Sequence, residues 1–339
     1  MGSLFLCKGE VDVSNIYNQY NTAEKYKDVN LYNKNLLDEF LLNLRAEGKK
    51  EGTIRMYKAN IKIMFIYILE ELDNKPINEL KKKNFRNYVL WLREKGLSVA
   101  RINNLKSACS SMLSFASDDE EYEDDIPVNQ IRKLKPINKE ARREIIFLTN
   151  EQIEKIRNEL IKREKYQIAL LLSIMYDSGA RRNECFQIMK DDIDVNGHMT
   201  KRKVTGKRGK TFNIYYHKWT KECYELYMKQ RGKDKIEELW LTNSGKLASY
   251  ETLYSWITYC RDILKELEGE EIPFNPHTFR HSFATNMTNG THYLCKDLNR
   301  TFSLEEVQIL LNHSSIETTN QYIKSRDEEI INNAFGWVD

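Results

Sequence analysis

Apolar residues recur every three to four positions through the first part of the chain, the spacing of helices that bury one face. In NLLDEFLLNLRAEG, Leu37, Phe40, Leu41 and Leu44 share a face, and Gly48 ends the run. TIRMYKANIKIMFIYILEEL repeats the pattern with Ile54, Tyr57, Ile61, Met64, Phe65 and Ile68. NFRNYVLWLREKG and SVARINNLKSACSSMLSFA supply two more helices. After a polar, tyrosine-rich lead at 1–30, residues 31–126 therefore read as a small all-α bundle with short connections. The bundle closes at the acidic run SDDEEYEDD, and Pro127 and Pro136 bracket a basic connector at 127–144, a natural domain boundary.

A second domain is expected over 145–339. Its first helix opens at FLTNEQIEKI: Thr149 can cap, Gln152 can return the bond, and Leu148 can pack on Ile153. IALLLSIMY is an apolar helix that Gly179 ends. HMTKRKV and TFNIYYH flank a glycine-containing turn and read as one β-hairpin. SLEEVQILLNH reads as a helix with Val307, Leu310 and Leu311 buried, and TTNQYIK as another short helical stretch. The expected fold class is mainly α with a small β-sheet, in two domains and without internal repeats.

Composition narrows the class. Over 339 residues, 41% hydrophobic and 30% charged fit a globular chain with a real core. No run approaches the roughly 18 apolar residues that cross a bilayer, and the N-terminal apolar stretch is too short for a secretory signal. Six cysteines without a CxxC pair form neither a disulfide framework nor a zinc knuckle and suit a reducing cytoplasm. The net charge of +3 is uninformative, but base concentrates in IRKLKPINKEARR and in TKRKVTGKRGK. Two basic segments in ordered regions point to a phosphate-rich partner.

Four segments of the second half carry candidate chemistry. In YDSGARRNEC, Arg181 and Glu184 are three apart, so a helix would let the carboxylate orient the guanidinium; taken alone, this is an ordinary surface ion pair. Lys207 projects from the hairpin turn beside Arg208, with Lys210 an equally available neighbour. In PHTFRHSFATNM, His277 and His281 have the spacing of a zinc helix. The glutamate such a site needs is absent, however, and Arg280 would sit beside the dication. His277 and Arg280 instead make a cationic, donor-rich face suited to an anion. Lastly, LLNHSSIETTNQYIK places Tyr322 after His313; with 19 tyrosines in the chain, that residue by itself reads as one more packed aromatic.

In order and spacing, these segments together resemble the tyrosine recombinases, the phage integrase family. The resemblance rests on G-x-R-x-x-E, a lysine in a glycine-flanked turn, H-x-x-R-H-S-F-A-T, and L-L-x-H-S-S-I-x-T-T-x-x-Y. It covers essentially 148–324, and the first half looks like that family's helical core-binding domain. Three departures stand out. Asn312 occupies the usual glycine position before His313, and asparagine tolerates left-handed backbone nearly as well. The interval carrying THYLCKDLNRTF is longer than the family's, which points to an altered loop near the site. Lys207 and Lys210 compete for the family's lysine, and the position after the first glycine of the turn favours Lys207.

The resemblance implies a two-domain clamp on duplex DNA and an enzyme that breaks and rejoins strands through a 3′-phosphotyrosine, without metal, ATP or other cofactor. Tyr322 would be the nucleophile, Arg181 and Arg280 the phosphate clamps, and Lys207 the proton donor to the leaving oxygen. His277 would be general base or hydrogen-bond partner, His313 a phosphate contact, and Glu184 a support for Arg181. Arg132, Lys133, Lys135, Lys139, Arg142 and Arg143 of the connector, with Arg208 and Lys210, would contact DNA. The implied partners are double-stranded core sites and a homo-tetramer on two such sites; an accessory or directionality factor is left open. The short lead points to a Xer-like or transposon-type enzyme without an arm-binding domain, in the cytoplasm or nucleoid of a bacterium. Its task would be integration, excision or resolution. Two rival readings share the residues: a type IB topoisomerase that relaxes DNA, and an inactive DNA-binding protein on the same scaffold.

Overall fold

A computed structural model describes residues 23–135, 137, 146–242 and 244–311. The chain divides into two compact units, the division falling between Arg143 and Glu144. In the first unit, α1 (Ala23–Lys27) leads into α2 (Leu31–Ala46), α3 (Glu51–Glu71), α4 (Lys82–Glu94) and α5 (Val99–Asp118). α3 and α5 pack along each other, α2 lies against both, and α4 against α5. The expected stripes face the core: Leu36, Leu37, Phe40, Leu41 and Leu44 of α2 are buried. α3 goes further. Ile61 and every residue from Ile63 to Ile68 are buried, because helices cover it on more than one side.

Polar caps fix the helix starts. Asn30 accepts from the Asn33 amide at 2.9 Å and donates to the Asn74 carbonyl at 2.8 Å, tying α2 to the loop after α3. The chain beyond α5 folds back on this unit rather than leaving it. Tyr122, inside the acidic run, and Ile131 are buried, and Lys106 donates to the Leu134 and Lys135 carbonyls, both at 3.0 Å.

The second unit is built around α7 (Tyr166–Ser178), buried at every position from Gln167 to Ser178. Around it pack α6 (Asn150–Lys162), α9 (Lys218–Arg231), α10 (Tyr250–Glu268) and α11 (Pro276–Thr288). A helix apolar on all sides has to be central, which explains IALLLSIMY. The expected capping box opens α6: the Gln152 amide donates to Thr149 Oγ1 at 3.2 Å and the Thr149 amide to Gln152 Oε1 at 3.0 Å.

Three short elements complete the unit: α8 (Arg182–Phe186), α12 (Tyr293–Asp297) and α13 (Leu304–Leu310). The hairpin is present but small. β1 (Val204–Thr205) pairs antiparallel with β2 (Thr211–Phe212), and an isolated bridge joins Met199 to Tyr215 lower down. Val307 and Leu311 are buried as expected, whereas Leu310 is half-buried at the edge of the core. No helix among the described residues is long and apolar enough to cross a membrane.

Candidate active site

The site begins at a chain reversal. Gly179 ends α7 with φ of 64°, a conformation that L side chains rarely adopt. A Cβ there would lie 2.4 Å from Leu311 Cδ2 and 2.8 Å from Phe283 Cδ1, so the close approach also requires glycine. Two residues later Arg181 stands at the N-cap of α8.

Glu184 holds Arg181 twice. Its Oε2 accepts the Arg181 backbone N–H at 2.7 Å and its Oε1 accepts from Nη1 at 2.9 Å. The carboxylate side chain is 2% exposed and the arginine side chain 30%. This is no loose surface pair: a buried carboxylate fixes a guanidinium whose outer side still reaches solvent.

Arg280 comes from α11, whose start is set by Asn275 and Pro276. Asn275 Oδ1 accepts the His277 amide at 2.8 Å, and the proline occupies the first turn, where its missing N–H costs nothing. One turn on, Arg280 is 2% exposed. Its Nη1 donates to the Gly179 carbonyl at 2.7 Å and its Nη2 to the Leu311 carbonyl at 2.6 Å. One guanidinium thus ties the end of α7 to the end of α13.

His277 is exposed where Arg280 is buried, so the expected common face is divided between surface and interior. The two remain electrostatically coupled. Crowding by protein lowers the His277 pKa most, followed by the positive charges of Arg280 and then Arg181, with Glu184 opposing. His281 packs against it with ring centroids 4.7 Å apart, and burial, His277 and Arg280 push its pKa down to about 4. Both shifts favour the neutral imidazole over the cation.

Lys207 and Lys210 are exposed at the hairpin tip. The hairpin leans on the arginine cluster: a Cβ on Gly206 would lie 2.8 Å from Phe212 Cε1 and 3.3 Å from Glu184 Oε1. Of the expected DNA contacts, Arg132, Lys133 and Lys135 are exposed on the first unit. Lys139, Arg142, Arg143, Asn312, His313 and Tyr322 lie outside the described residues, as does the side chain of Arg208.

The segment expected to be an altered loop is instead anchored in the core. It forms α12, with Tyr293, Leu294 and Cys295 buried. Tyr293 donates to Asp177 Oδ1 at 2.6 Å and stacks on Trp219 at 4.2 Å. Asp177 Oδ2 also accepts the His217 and Thr220 amides at 2.9 and 3.1 Å and the Thr220 hydroxyl at 2.7 Å, capping α9 from another helix. Burial raises the Asp177 pKa, and these donors oppose it. His292 Nδ1 accepts the Leu294 amide at 3.1 Å, so Nε2 carries the proton toward the Tyr176 carbonyl at 3.2 Å. Burial pushes the His292 pKa down to about 3.

Sequence reasoning overlooked Asp177, Gln187 and Tyr293. Gln187 had a signal, since Arg181, Glu184 and Gln187 recur every three residues. The others depend on long-range packing.

A helical unit precedes a second unit in which a glutamate-held arginine, a buried arginine and a histidine under the influence of both are grouped, the architecture of the tyrosine recombinases. The phage integrase family pattern matches residues 146–329, and the pattern for the phage integrase N-terminal SAM-like domain matches 36–120. The chain belongs to the phage integrase family and is a tyrosine recombinase, an enzyme of DNA recombination.

It is 26% identical over 328 residues to the SPbeta prophage-derived recombinase-like protein YomM of Bacillus subtilis, covering 91% of this chain and 92% of that one. It is 28% identical over 301 residues to the tyrosine recombinase XerA of Pyrococcus furiosus, covering 85% and 89%. Its fold is that of a lambda integrase dimer bound to a COC′ core site, with a TM-score of 0.65, 20% identity, and coverage of 85% and 94%.

Proposed function

We propose that this recombinase cleaves and rejoins DNA at short core sites through a 3′-phosphotyrosine on Tyr322. The observation that carries the proposal is the Glu184-held Arg181 beside Arg280 and His277. A phosphodiester repels a nucleophile, and fixed guanidinium donors offset that charge and the charge developing on phosphorus. Tyr322 Oη forms a bond to phosphorus as the bond from phosphorus to O5′ breaks. Lys207 gives its proton to O5′, and His277 accepts the tyrosine proton or donates a hydrogen bond to the phosphate. His313 hydrogen-bonds the phosphate. General acid–base help of this kind is worth about 10²–10⁴-fold.

The new ester conserves the energy of the broken one. A 5′-hydroxyl from another duplex can therefore attack it, expelling the tyrosine and exchanging strands without ATP. Arginine supplies the charge that a metal ion supplies in many nucleases, so the scheme needs no metal. The working assembly is a homo-tetramer on two double-stranded sites. Exposed Arg132, Lys133 and Lys135, together with Lys139, Arg142, Arg143, Arg208 and Lys210, hold phosphates and give binding a salt dependence. The domain limits are 31–126 for the core-binding part, 127–144 for the connector and 145–339 for the catalytic part. The enzyme acts in the bacterial cytoplasm or nucleoid, on a mobile element.

The test is strand joining between two differently labelled duplexes made from the DNA flanking the gene. Joined products that carry both labels support the proposal. Relaxation of supercoiled DNA without joining would replace it with topoisomerase action, and binding without cleavage would replace it with a DNA-binding role.

A further inference from the structure

Gln187 follows α8 and makes a bidentate contact with β1. Its Oε1 accepts the Thr205 backbone N–H at 2.8 Å, and its Nε2 donates to the Thr205 carbonyl at 3.0 Å. The side-chain amide thereby imitates a neighbouring strand. Nε2 also donates to the Asn183 carbonyl at 2.9 Å and to Asn183 Oδ1 at 3.0 Å. Three acceptors around one nitrogen fix the amide's orientation, because a flip would set oxygen against oxygen.

The contact acts at the turn end of the hairpin, beyond buried Val204 and the Thr200–Ile214 backbone bond at 2.8 Å that hold its base. Each strand is two residues long, paired as Val204 with Phe212 and Thr205 with Thr211, and Gly206 closes on the Lys210 carbonyl at 2.8 Å. An isolated two-stranded hairpin is marginal in water. Thr205, gripped by Gln187, is two residues from Lys207, and Gly206 between them lies against Glu184 Oε1.

We propose that Gln187 is a positioning residue for Lys207. It pins the lysine-bearing hairpin to the helix that carries Arg181 and Glu184, so that proton donor and phosphate clamp share one rigid base. The proposal rests on the reading of Lys207 as proton donor to the leaving O5′.

The test uses the full chain with Gln187→Met, which keeps side-chain length and removes both polar atoms, and Gln187→Glu, which keeps only the acceptor. Two duplexes carry the mapped cleavage sequence, one with the ordinary bridging O5′ and one with sulfur in its place. A thiolate leaves without a proton, since thiols ionise near pH 8.5.

Gln187→Met is expected to cleave the oxygen substrate about tenfold or more slowly, a share of the general-acid contribution. On the sulfur substrate it should return close to the unsubstituted rate, as Lys207→Ala should. Gln187→Glu should fall between. Hydrogen exchange without DNA should show faster exchange at the Thr205 amide and unchanged exchange in α7. Equal slowing on both substrates, or no slowing, overturns the positioning role. If Lys207→Ala is slowed equally on both, the proton-donor reading fails first and the proposal falls with it.

Discussion

Replacing Glu184 with glutamine changes one atom and asks a sharp question of the site. The carboxylate accepts two hydrogen bonds, from the Arg181 backbone N–H at 2.7 Å and from Nη1 at 2.9 Å. Glutamine offers one accepting oxygen and one donating nitrogen. Glu184→Gln therefore keeps one bond and sets N–H against N–H at the other. At 2% exposure, water does not step in. A hydrogen bond to a charged group is worth about 1.5–3 kcal/mol, and losing one from a transition state slows the step roughly 10- to 150-fold. The assay is single-turnover formation of the covalent protein–DNA adduct, read beside the thermal midpoint. Glu184→Asp keeps the charge but shortens the reach and should be intermediate. A Glu184→Gln adduct rate within about twofold of the unsubstituted chain, under ~0.5 kcal/mol, would refute the idea that Glu184 places Arg181.

Three further outcomes are expected. Gly179→Ala should cost about 2 kcal/mol or more in urea unfolding, since it combines a left-handed backbone with Cβ contacts at 2.4 and 2.8 Å. Asp177→Ala strands four donors on Tyr293, His217 and Thr220 and should cost about 3 kcal/mol or more by the same measurement, while Asp177→Asn, whose amide can donate to the Tyr293 oxygen, should cost far less. His292, held down to about 3 in the fold against an ordinary 6.5, favours the folded state fully only above pH 6.5. As pH falls the unfolded chain takes up the proton first, so about 2 kcal/mol is lost between pH 7 and 5, and chemical unfolding should show a shallower loss in His292→Phe.

Local signals carried much of the fold. The stripes of α2 and α3, the Thr149 capping box and the Gly179 stop are decided within a few residues of chain, and the sequence states them directly. Periodicity could not tell that α3 is covered on several sides, because that depends on where α2 and α5 return. Arg181 and Glu184 were legible as a pair, but only burial separates a positioning carboxylate from a surface ion pair. The segment around Tyr293 looked like a loop insertion. Its anchor, Asp177, lies more than a hundred residues upstream, and no local pattern links the two. Gln187 stood within the visible three-residue spacing, yet its partner Thr205 is reached only through the hairpin.

The measurement closest to the central claim locates the covalent bond. The full chain is incubated with fragments of the DNA flanking its gene, denatured, and digested with nuclease and protease. Mass spectrometry then finds the peptide that carries a nucleotide. A nucleotide 3′-phosphate on Tyr322, absent from Tyr322→Phe, is the expected result. A nucleotide on another residue, or the same adduct from Tyr322→Phe, would return Tyr322 to the packed aromatics and contradict the mechanism.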